Sequence, residues 1–230
     1  MMEMQHNNIG TRAYIFDYGG TLDTGGCHWG CLLWHAWQQA GVPVSEQRFR
    51  DAYVYAERML ASHPVIASHF TFRQTLSMKL HIELQQVGHE EYHSIILESL
   101  YATACQHTAH SRQVLSVLKE RAPLALVSNF YGNIHTVLRE FSLDDLFSHV
   151  VESAEVGLRK PNPVIFLLAA RSLGYQPEEI TVVGDSIEKD ILPAREAGFH
   201  TVWLRGEQWT ADAVDESLPH QTIADLDELL

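Results

Sequence analysis

The sequence has little cysteine, little positive charge and no long apolar run. Its 230 residues include three cysteines, Cys27, Cys31 and Cys105, which cannot all pair and which form no CxxC spacing. Free thiols are the expected state, and they favour a cytoplasmic protein. No apolar stretch reaches the length of a membrane span, and the polar start of the chain lacks the pattern of a secretory signal.

Positive charge is scarce, with 16 lysines and arginines against 29 acidic residues and a formal net charge of −13. This balance works against nonspecific binding of nucleic acid or of an anionic membrane, so neither is expected as a partner. An anionic small-molecule substrate would need a local positive site, such as a bound metal ion. Hydrophobic residues make up 46% of the chain, which is enough for a packed core.

Short apolar runs alternate with helical patterns in the second half of the chain. The predicted strands are Ala13–Asp17, Leu124–Ser128, Val150–Glu152, Ile180–Gly184 and Thr201–Leu204. The helices predicted around the last four are Arg112–Arg121, Asn133–Glu140, Pro163–Leu173 and Lys189–Ala197. This alternation predicts an α/β fold with a doubly wound parallel sheet.

About a hundred residues without a convincing strand separate the first two strands, far more than a crossover needs. They predict four helices, at approximately 28–40, 45–60, 70–86 and 89–105. The predicted domains are therefore a core of residues 1–25 and 106–230 and an inserted helical cap of residues 26–105. An insert at this point lies at the carboxyl edge of the sheet, where ligands bind in such folds.

The first strand ends in a motif with chemical meaning, Asp17-Tyr18-Gly19-Gly20-Thr21-Leu22. An aspartate at the tip of a buried strand, followed by a glycine turn, is a candidate covalent nucleophile. Three further motifs follow later strands in the chain. They contain Ser128 and Asn129 after the second strand, Lys160 in an Arg-Lys-Pro segment, and Asp185 and Asp190 after the fourth strand.

In this order, the four motifs resemble those of the haloacid dehalogenase (HAD) superfamily with a small helical cap. The resemblance covers the whole core and implies a Rossmann-like sheet and a Mg²⁺ cofactor. It implies that Asp17 is the nucleophile, that Lys160 neutralises it and the phosphoryl group, and that Ser128, Asn129 and Lys160 bind phosphate. The implied metal ligands are Asp17, the main-chain carbonyl of Gly19, Asp185 and Asp190.

Gly19 departs from the family motif, in which this position is usually a second aspartate that serves as general acid and base. General acid–base catalysis of this kind contributes about 10²- to 10⁴-fold. Asp23 could replace the missing acid, although it could also simply close a turn. The other candidates are His63, His69, His81 and Glu83, for each of which a solvated position is the favoured interpretation.

These observations predict a Mg-dependent HAD-like hydrolase, foremost a phosphatase acting on a small phosphorylated metabolite through an aspartyl phosphate at Asp17. A catalytically weak or inactive phosphate-binding relative is the first alternative. A phosphonate-cleaving enzyme is the second, with Lys79 forming a Schiff base, although a solvated helix lysine is the favoured interpretation of that residue. A true haloacid dehalogenase is the third, since such enzymes also lack the second aspartate.

Overall fold

The computed structural model of the protein describes residues 10–63, 65–209 and 215–230. Residues 1–9, which include the start inspected for a secretory signal and part of the predicted core domain, lie outside the described residues. Six parallel strands form one sheet in the order β3-β2-β1-β4-β5-β6. The strands are β1 Ala13–Phe16, β2 Leu124–Ser128, β3 His149–Glu152, β4 Ile180–Gly184, β5 His200–Leu204 and β6 Gln221–Ile223.

The parallel sheet confirms the predicted fold class, and the first five strands lie where the sequence places them. The sixth strand was not predicted. It has three residues at the edge of the sheet, and the first two, Gln221 and Thr222, are exposed. A strand this short and polar has no apolar alternation by which it could be recognised.

Helices cover both faces of the sheet and fill the long segment between β1 and β2. Their bounds are α1 Trp29–Ala40, α2 Glu46–Ser62, α3 Phe72–Val87, α4 His93–Lys119, α5 Ile134–Glu140, α6 Ser153–Val156, α7 Val164–Leu173 and α8 Leu192–Glu196. Short 3₁₀ turns occupy Glu90–Tyr92, Pro177–Glu179 and Leu226–Leu229, and Ile187–Ile191 forms a π turn before α8. No helix in the described part of the chain is both long enough and apolar enough to cross a bilayer.

Helix α4 differs from the prediction, which placed two helices at 89–105 and Arg112–Arg121. The structure has one uninterrupted helix of 27 residues. The intervening residues contain neither glycine nor proline, and the Thr108 hydroxyl donates to the Ala104 carbonyl within the helix at 2.7 Å. The predicted cap boundary at residue 105 falls inside this helix, and the boundaries of the two domains stay a prediction.

The inserted helices begin and end at recognisable signals. Ser45 caps α2 through Arg48 N, and Thr71 and Gln74 form a reciprocal capping box at the start of α3. Gly41 and Gly88 close α1 and α3 in the left-handed conformation. Local sequence signals therefore set where these helices begin and end.

One apolar cluster runs from the sheet into the insert without a break. It contains Phe16 from β1, Trp37 from α1, Phe49 from α2 and Leu80 from α3, all fully buried. A second cluster on the other face of the sheet joins Ile15 to the residues of α7. Because consecutive β1 side chains point to opposite faces, the two clusters cover both sides of the sheet, as a doubly wound fold requires.

Candidate active site

Asp17 and Asp185 meet because β1 and β4 are neighbours in the sheet. The direction in which strands are added to the sheet reverses here, with β2 and β3 on one side of β1 and β4 to β6 on the other. Ligands bind at such a switch point. Asp17 follows β1, and its main-chain N–H donates to the Val183 carbonyl of β4 at 3.0 Å. Asp190 joins them from the π turn. Carboxylate oxygens of the three aspartates lie within 4.8 Å of one another, and all three residues are buried.

Lys160 is the cation of this cluster. Its Nζ donates to Asp17 Oδ1 and to Asp190 Oδ1, the latter at 2.6 Å. Burial opposes the charge of Lys160, but Asp17 and Asp190 outweigh that cost and raise the pKa of the ammonium above its ordinary value. Lys160 is therefore a fixed positive charge beside the candidate nucleophile.

The cluster remains rich in negative charge, since one lysine faces three carboxylates. Burial, with the charges of Asp17 and Asp190, raises the pKa of Asp185 well above its ordinary value of 3.8. Burial also raises the pKa of Asp190, to about 6, although Lys160 opposes this shift. Three converging carboxylates whose ionised forms need more positive charge fit a hard divalent cation such as Mg²⁺.

Gly20 brings the first motif against the fourth. Its φ is +102°, in the left-handed region, and a Cβ at this position would overlap the Asp185 carboxylate. Next to it, the Thr21 hydroxyl lies 3.2 Å from Asp17 Oδ2 and 3.1 Å from Asp185 Oδ1. Only glycine satisfies both the backbone conformation and the close approach.

A cavity of about 150 Å³ opens over the carboxylates, and its walls come from the core and from the insert. The predicted site residues Asp17, Gly19, Ser128, Asn129, Lys160, Asp185 and Asp190 all line it. Ser128 is buried at the end of β2. The side chain of Asn129 is paired with the main chain of Lys160, donating to its carbonyl at 3.0 Å and accepting from its N–H at 2.9 Å. That pairing orients Lys160, and the phosphate contact of Asn129 stays a prediction.

Asp23 lies in the same cavity and is 1% exposed. It does close a turn, because Oδ1 accepts from Gly20 N at 2.7 Å, while Oδ2 accepts from the Trp29 indole at 2.9 Å. Burial raises the pKa of Asp23 to about 7, with a smaller contribution from Asp17, against the opposing effect of those two hydrogen bonds. A carboxyl group with this pKa can both give and take a proton near neutral pH.

Gly19 leaves open space where a side chain could stand. No heavy atom lies within 4 Å of the position a Cβ would take, and its φ lies outside the left-handed region. An aspartate at this position would therefore enter the cavity without backbone strain.

Lys79 was expected to be a solvated helix lysine, and this expectation is wrong. It is 8% exposed, lines the cavity opposite the core motifs, and forms an ion pair with Glu57 of α2. Its Nζ also lies 4.4 Å from the centre of the Tyr53 ring. Helix α3 packs against both α2 and α4, so the face that carries Lys79 is turned inward.

The remaining candidate acids do not reach the cavity. His63 and His69 are not among the residues that line it, and His81 lines a separate groove between α3 and α4. Glu83 was expected to be solvated, but it is fully buried and neither carboxylate oxygen has a hydrogen-bond partner among the described residues. Burial raises the pKa of Glu83 to about 8, with Lys79 opposing and Glu57 adding to the shift.

We expect Glu83→Gln to change how stability depends on pH. A carboxyl group whose folded pKa is raised stabilises the folded state while it is protonated, and this contribution is lost as pH rises from about 4.5 to about 8. The free energy of unfolding of the unsubstituted protein should fall by about 1.4 kcal/mol per pH unit in that window relative to the variant. Urea unfolding of both proteins at pH 5 and pH 8 measures the difference. An equal change in the free energy of unfolding between the two pH values in both proteins would contradict the prediction.

Several cavity residues had no signal in the sequence. They are His28, Trp29, Tyr53, Glu57, Tyr131 and Lys189. Tyr131 follows Ser128 by three residues, and its hydroxyl donates to Glu57 at 3.3 Å from Oε1. Burial lowers the pKa of His28 to about 4, with smaller effects from Lys189 and Lys79, so this imidazole is neutral at pH 7.

Comparison with known proteins agrees with this geometry. Residues 11–198 match the family model of haloacid dehalogenase-like hydrolases. The chain is 48% identical over 68 residues to a glyceraldehyde 3-phosphate phosphatase of Methanopyrus kandleri, covering 30% of this chain and 29% of that protein. It is 39% identical over 83 residues to a phosphoserine phosphatase of Thermus thermophilus, covering 36% of this chain and 32% of that protein. The matched part of the chain thus spans about a third of the length of these two relatives.

Among solved structures, the chain resembles the HAD hydrolase YfnB from Bacillus subtilis, which was solved with bound magnesium. The TM-score is 0.59 at 19% identity, and the superposition covers 95% of this chain and 96% of YfnB. At this identity the likeness shows a shared fold that extends over the inserted helices as well as the sheet.

Proposed function

The chain belongs to the haloacid dehalogenase-like hydrolase family, and from this premise we propose that it is a Mg-dependent phosphatase for a small phosphorylated metabolite. Residues 26–105 would form a helical cap over the site. A cytoplasmic location is part of the proposal and is supported by three free cysteines. Two relatives of the chain are named phosphatases, which supports the same reaction class.

One observation carries the proposal: the side chains to which we assign the roles of nucleophile, fixed cation and metal ligands line one cavity. Asp17, Lys160 and the Asp185–Asp190 pair come from three separate motifs and meet at the carboxyl ends of the strands. Ser128, buried at the end of β2, offers a hydroxyl to a phosphate oxygen. Phosphoryl transfer depends mainly on positioning and charge neutralisation, and this set supplies both.

In the first step, an Asp17 oxygen attacks phosphorus while the bond from phosphorus to the leaving oxygen breaks. Asp23 gives its proton to that oxygen, so an alcohol leaves and an aspartyl phosphate remains. In the second step, water attacks phosphorus, Asp23 takes the proton from the water, and Asp17 is released with inorganic phosphate. Asp23 thereby takes the role of general acid and base that the second aspartate of the first motif has in the family.

The metal ligands in this proposal are Asp17, the Gly19 carbonyl and Asp185, with Asp190 supporting directly or through water. When bound, Mg²⁺ would neutralise charge on the phosphoryl oxygens. Lys160 remains bound to Asp17 and Asp190 and keeps the nucleophile oriented.

The proposal is tested by phosphate release from p-nitrophenyl phosphate in the purified protein. Turnover should disappear after treatment with a chelator and return when Mg²⁺ is added, because the carboxylate cluster needs a compensating cation. Hydrolysis of a 2-haloacid without metal would instead identify a dehalogenase. Phosphate binding without turnover of any ester would identify an inactive phosphate-binding relative.

A phosphonate-cleaving enzyme is a second candidate, since Lys79 and Gly19 line one cavity. A Schiff base requires a neutral amine, whereas Lys79 is held as an ammonium. Burial disfavours its charge, but Glu57 outweighs that effect and raises the pKa of Lys79 well above its ordinary value. Borohydride reduction in the presence of phosphonoacetaldehyde distinguishes the two functions, because only the phosphonate enzyme would form a covalent adduct at Lys79.

A further inference from the structure

The wall of the cavity opposite Asp17 carries a charged pair that the phosphatase chemistry does not use. We call Lys79 and Glu57 the cap pair. They lie on adjacent helices, α3 and α2, and both line the cavity. We propose that the cap pair binds the ammonium and carboxylate of a zwitterionic leaving group, so that the preferred substrate is the phosphate ester of a small hydroxy amino acid. This inference rests on the proposed phosphatase function.

The cap pair is held in place from both sides. The Tyr131 hydroxyl, from the core loop that follows Ser128, reaches both Glu57 oxygens at 3.3 and 3.4 Å. The Tyr53 ring lies against the Lys79 ammonium. The pair therefore keeps a fixed position relative to the loop that is proposed to bind phosphate.

Stability alone does not account for the pair. The side chain of Lys79 is 10% exposed and that of Glu57 is 37% exposed. Apolar residues of similar volume often replace a buried ion pair without loss of stability. A buried ammonium and a partly exposed carboxylate, both beside a cavity, are explained when a ligand that enters the cavity uses them.

The pair also has hydrogen-bonding capacity to spare. An ammonium has three donors, and Glu57 is the one hydrogen-bond acceptor that Lys79 has among the described residues. The Glu57 carboxylate can accept about four hydrogen bonds, and in the described structure Lys79 and Tyr131 are its side-chain donors. Both partners can thus contact a ligand without breaking their own ion pair.

The charges of the pair select the chemistry of that ligand. A leaving group with only a carboxylate would be attracted by Lys79 but repelled by Glu57. A leaving group with only an ammonium would be attracted by Glu57 but repelled by Lys79. A zwitterion aligned antiparallel to the pair attracts both charges at once. Apolar neighbours on the same wall, Phe72 and Leu76, lower the local dielectric constant and strengthen this discrimination.

The experiment compares kcat/KM for four phosphate esters, each divided by the value for p-nitrophenyl phosphate in the same protein. The esters are O-phospho-L-serine, O-phosphoethanolamine, phosphoglycolate and glycerol 3-phosphate. Phosphoserine should exceed each of the other three by about 10- to 100-fold, the range expected for hydrogen bonds to charged groups. Glu57→Gln should shift preference toward phosphoglycolate, and Lys79→Met toward phosphoethanolamine.

These opposite shifts would not follow from a merely structural role. Each ratio compares two substrates of the same folded protein. The matched control is His81→Gln, on the same helix as Lys79 but lining the separate groove, which should keep the unsubstituted order of substrates. Turnover of p-nitrophenyl phosphate with no preference for phosphoserine, or with glycerol 3-phosphate preferred, would overturn the inference and leave the phosphatase standing. Absence of turnover for every ester would overturn both.

Discussion

Replacement of Asp17 by asparagine should lower phosphatase turnover by roughly 10⁴- to 10⁶-fold, the scale of loss when a covalent nucleophile is removed. Asparagine has nearly the same shape but cannot form the acyl phosphate. The measurement is Mg-dependent phosphate release, together with mass spectrometry of acid-quenched protein, which should show a phosphorylated peptide containing Asp17 only in the unsubstituted enzyme.

The same variant should keep its fold. Asp17 is one of three buried carboxylates that face one lysine, so its neutralisation removes like-charge repulsion and leaves Lys160 paired with Asp190. We expect a melting temperature in metal-free buffer at or above that of the unsubstituted protein. Turnover of the variant within tenfold of the unsubstituted enzyme would exclude Asp17 as the nucleophile.

Replacement of Asp23 by asparagine should lower kcat/KM, which reports the first step, by about 10²- to 10⁴-fold for alkyl phosphates and much less for p-nitrophenyl phosphate. An alkoxide needs a proton as it leaves, whereas nitrophenolate leaves readily without one. Asparagine can still accept hydrogen bonds from Gly20 and Trp29, so the turn that Asp23 closes should survive. Equal losses of kcat/KM for both kinds of ester would indicate that Asp23 only holds the turn.

Gly19→Asp provides a rescue of that variant. Since the space beside Gly19 is open and its backbone is unstrained, the new carboxyl group would stand where the family usually has its acid. The double variant should regain most of the alkyl phosphate activity that Asp23→Asn loses. Failure of the rescue, with the fold intact, would show that a carboxyl group at position 19 cannot replace Asp23.

The pH dependence of kcat should also identify Asp23 as the general acid. As a general acid, Asp23 acts only while protonated, so kcat for an alkyl phosphate limited by its first step should fall as pH rises through about 7. This limb should be absent with p-nitrophenyl phosphate and in Asp23→Asn. A limb that persists in the variant would assign it to another group.

The site residues that belong to the core could be predicted, because a parallel sheet places them at the same edge. In a parallel sheet the carboxyl ends of neighbouring strands meet, so a motif after each strand is enough to place Asp17 near Asp185. The five longer strands also follow from local apolar runs, since each is buried for at least half of its length.

The half of the site that belongs to the insert could not be predicted, because it depends on how helices pack. Glu57 meets Tyr131 across 74 residues of sequence, and no local pattern records that contact. Lysine is a residue type usually found at the surface. Helix α3 nevertheless lies among other helices and buries residues, Lys79 included, on most of its circumference. Periodicity finds the apolar side of a helix but cannot tell a polar side that faces solvent from one that faces a cavity.

The continuous helix α4 limits how the site can open. At 27 residues it is about 40 Å long, and it contains no glycine or proline at which a sharp kink could form. One of the two chain connections between insert and sheet is thus a straight helix followed by a short turn, while the other, residues 17–28, is made of turns. A swing of the inserted helices that bent residues 17–28 would displace Asp17, Gly19 and Asp23 as well, so admission of substrate and alignment of the nucleophile would be coupled.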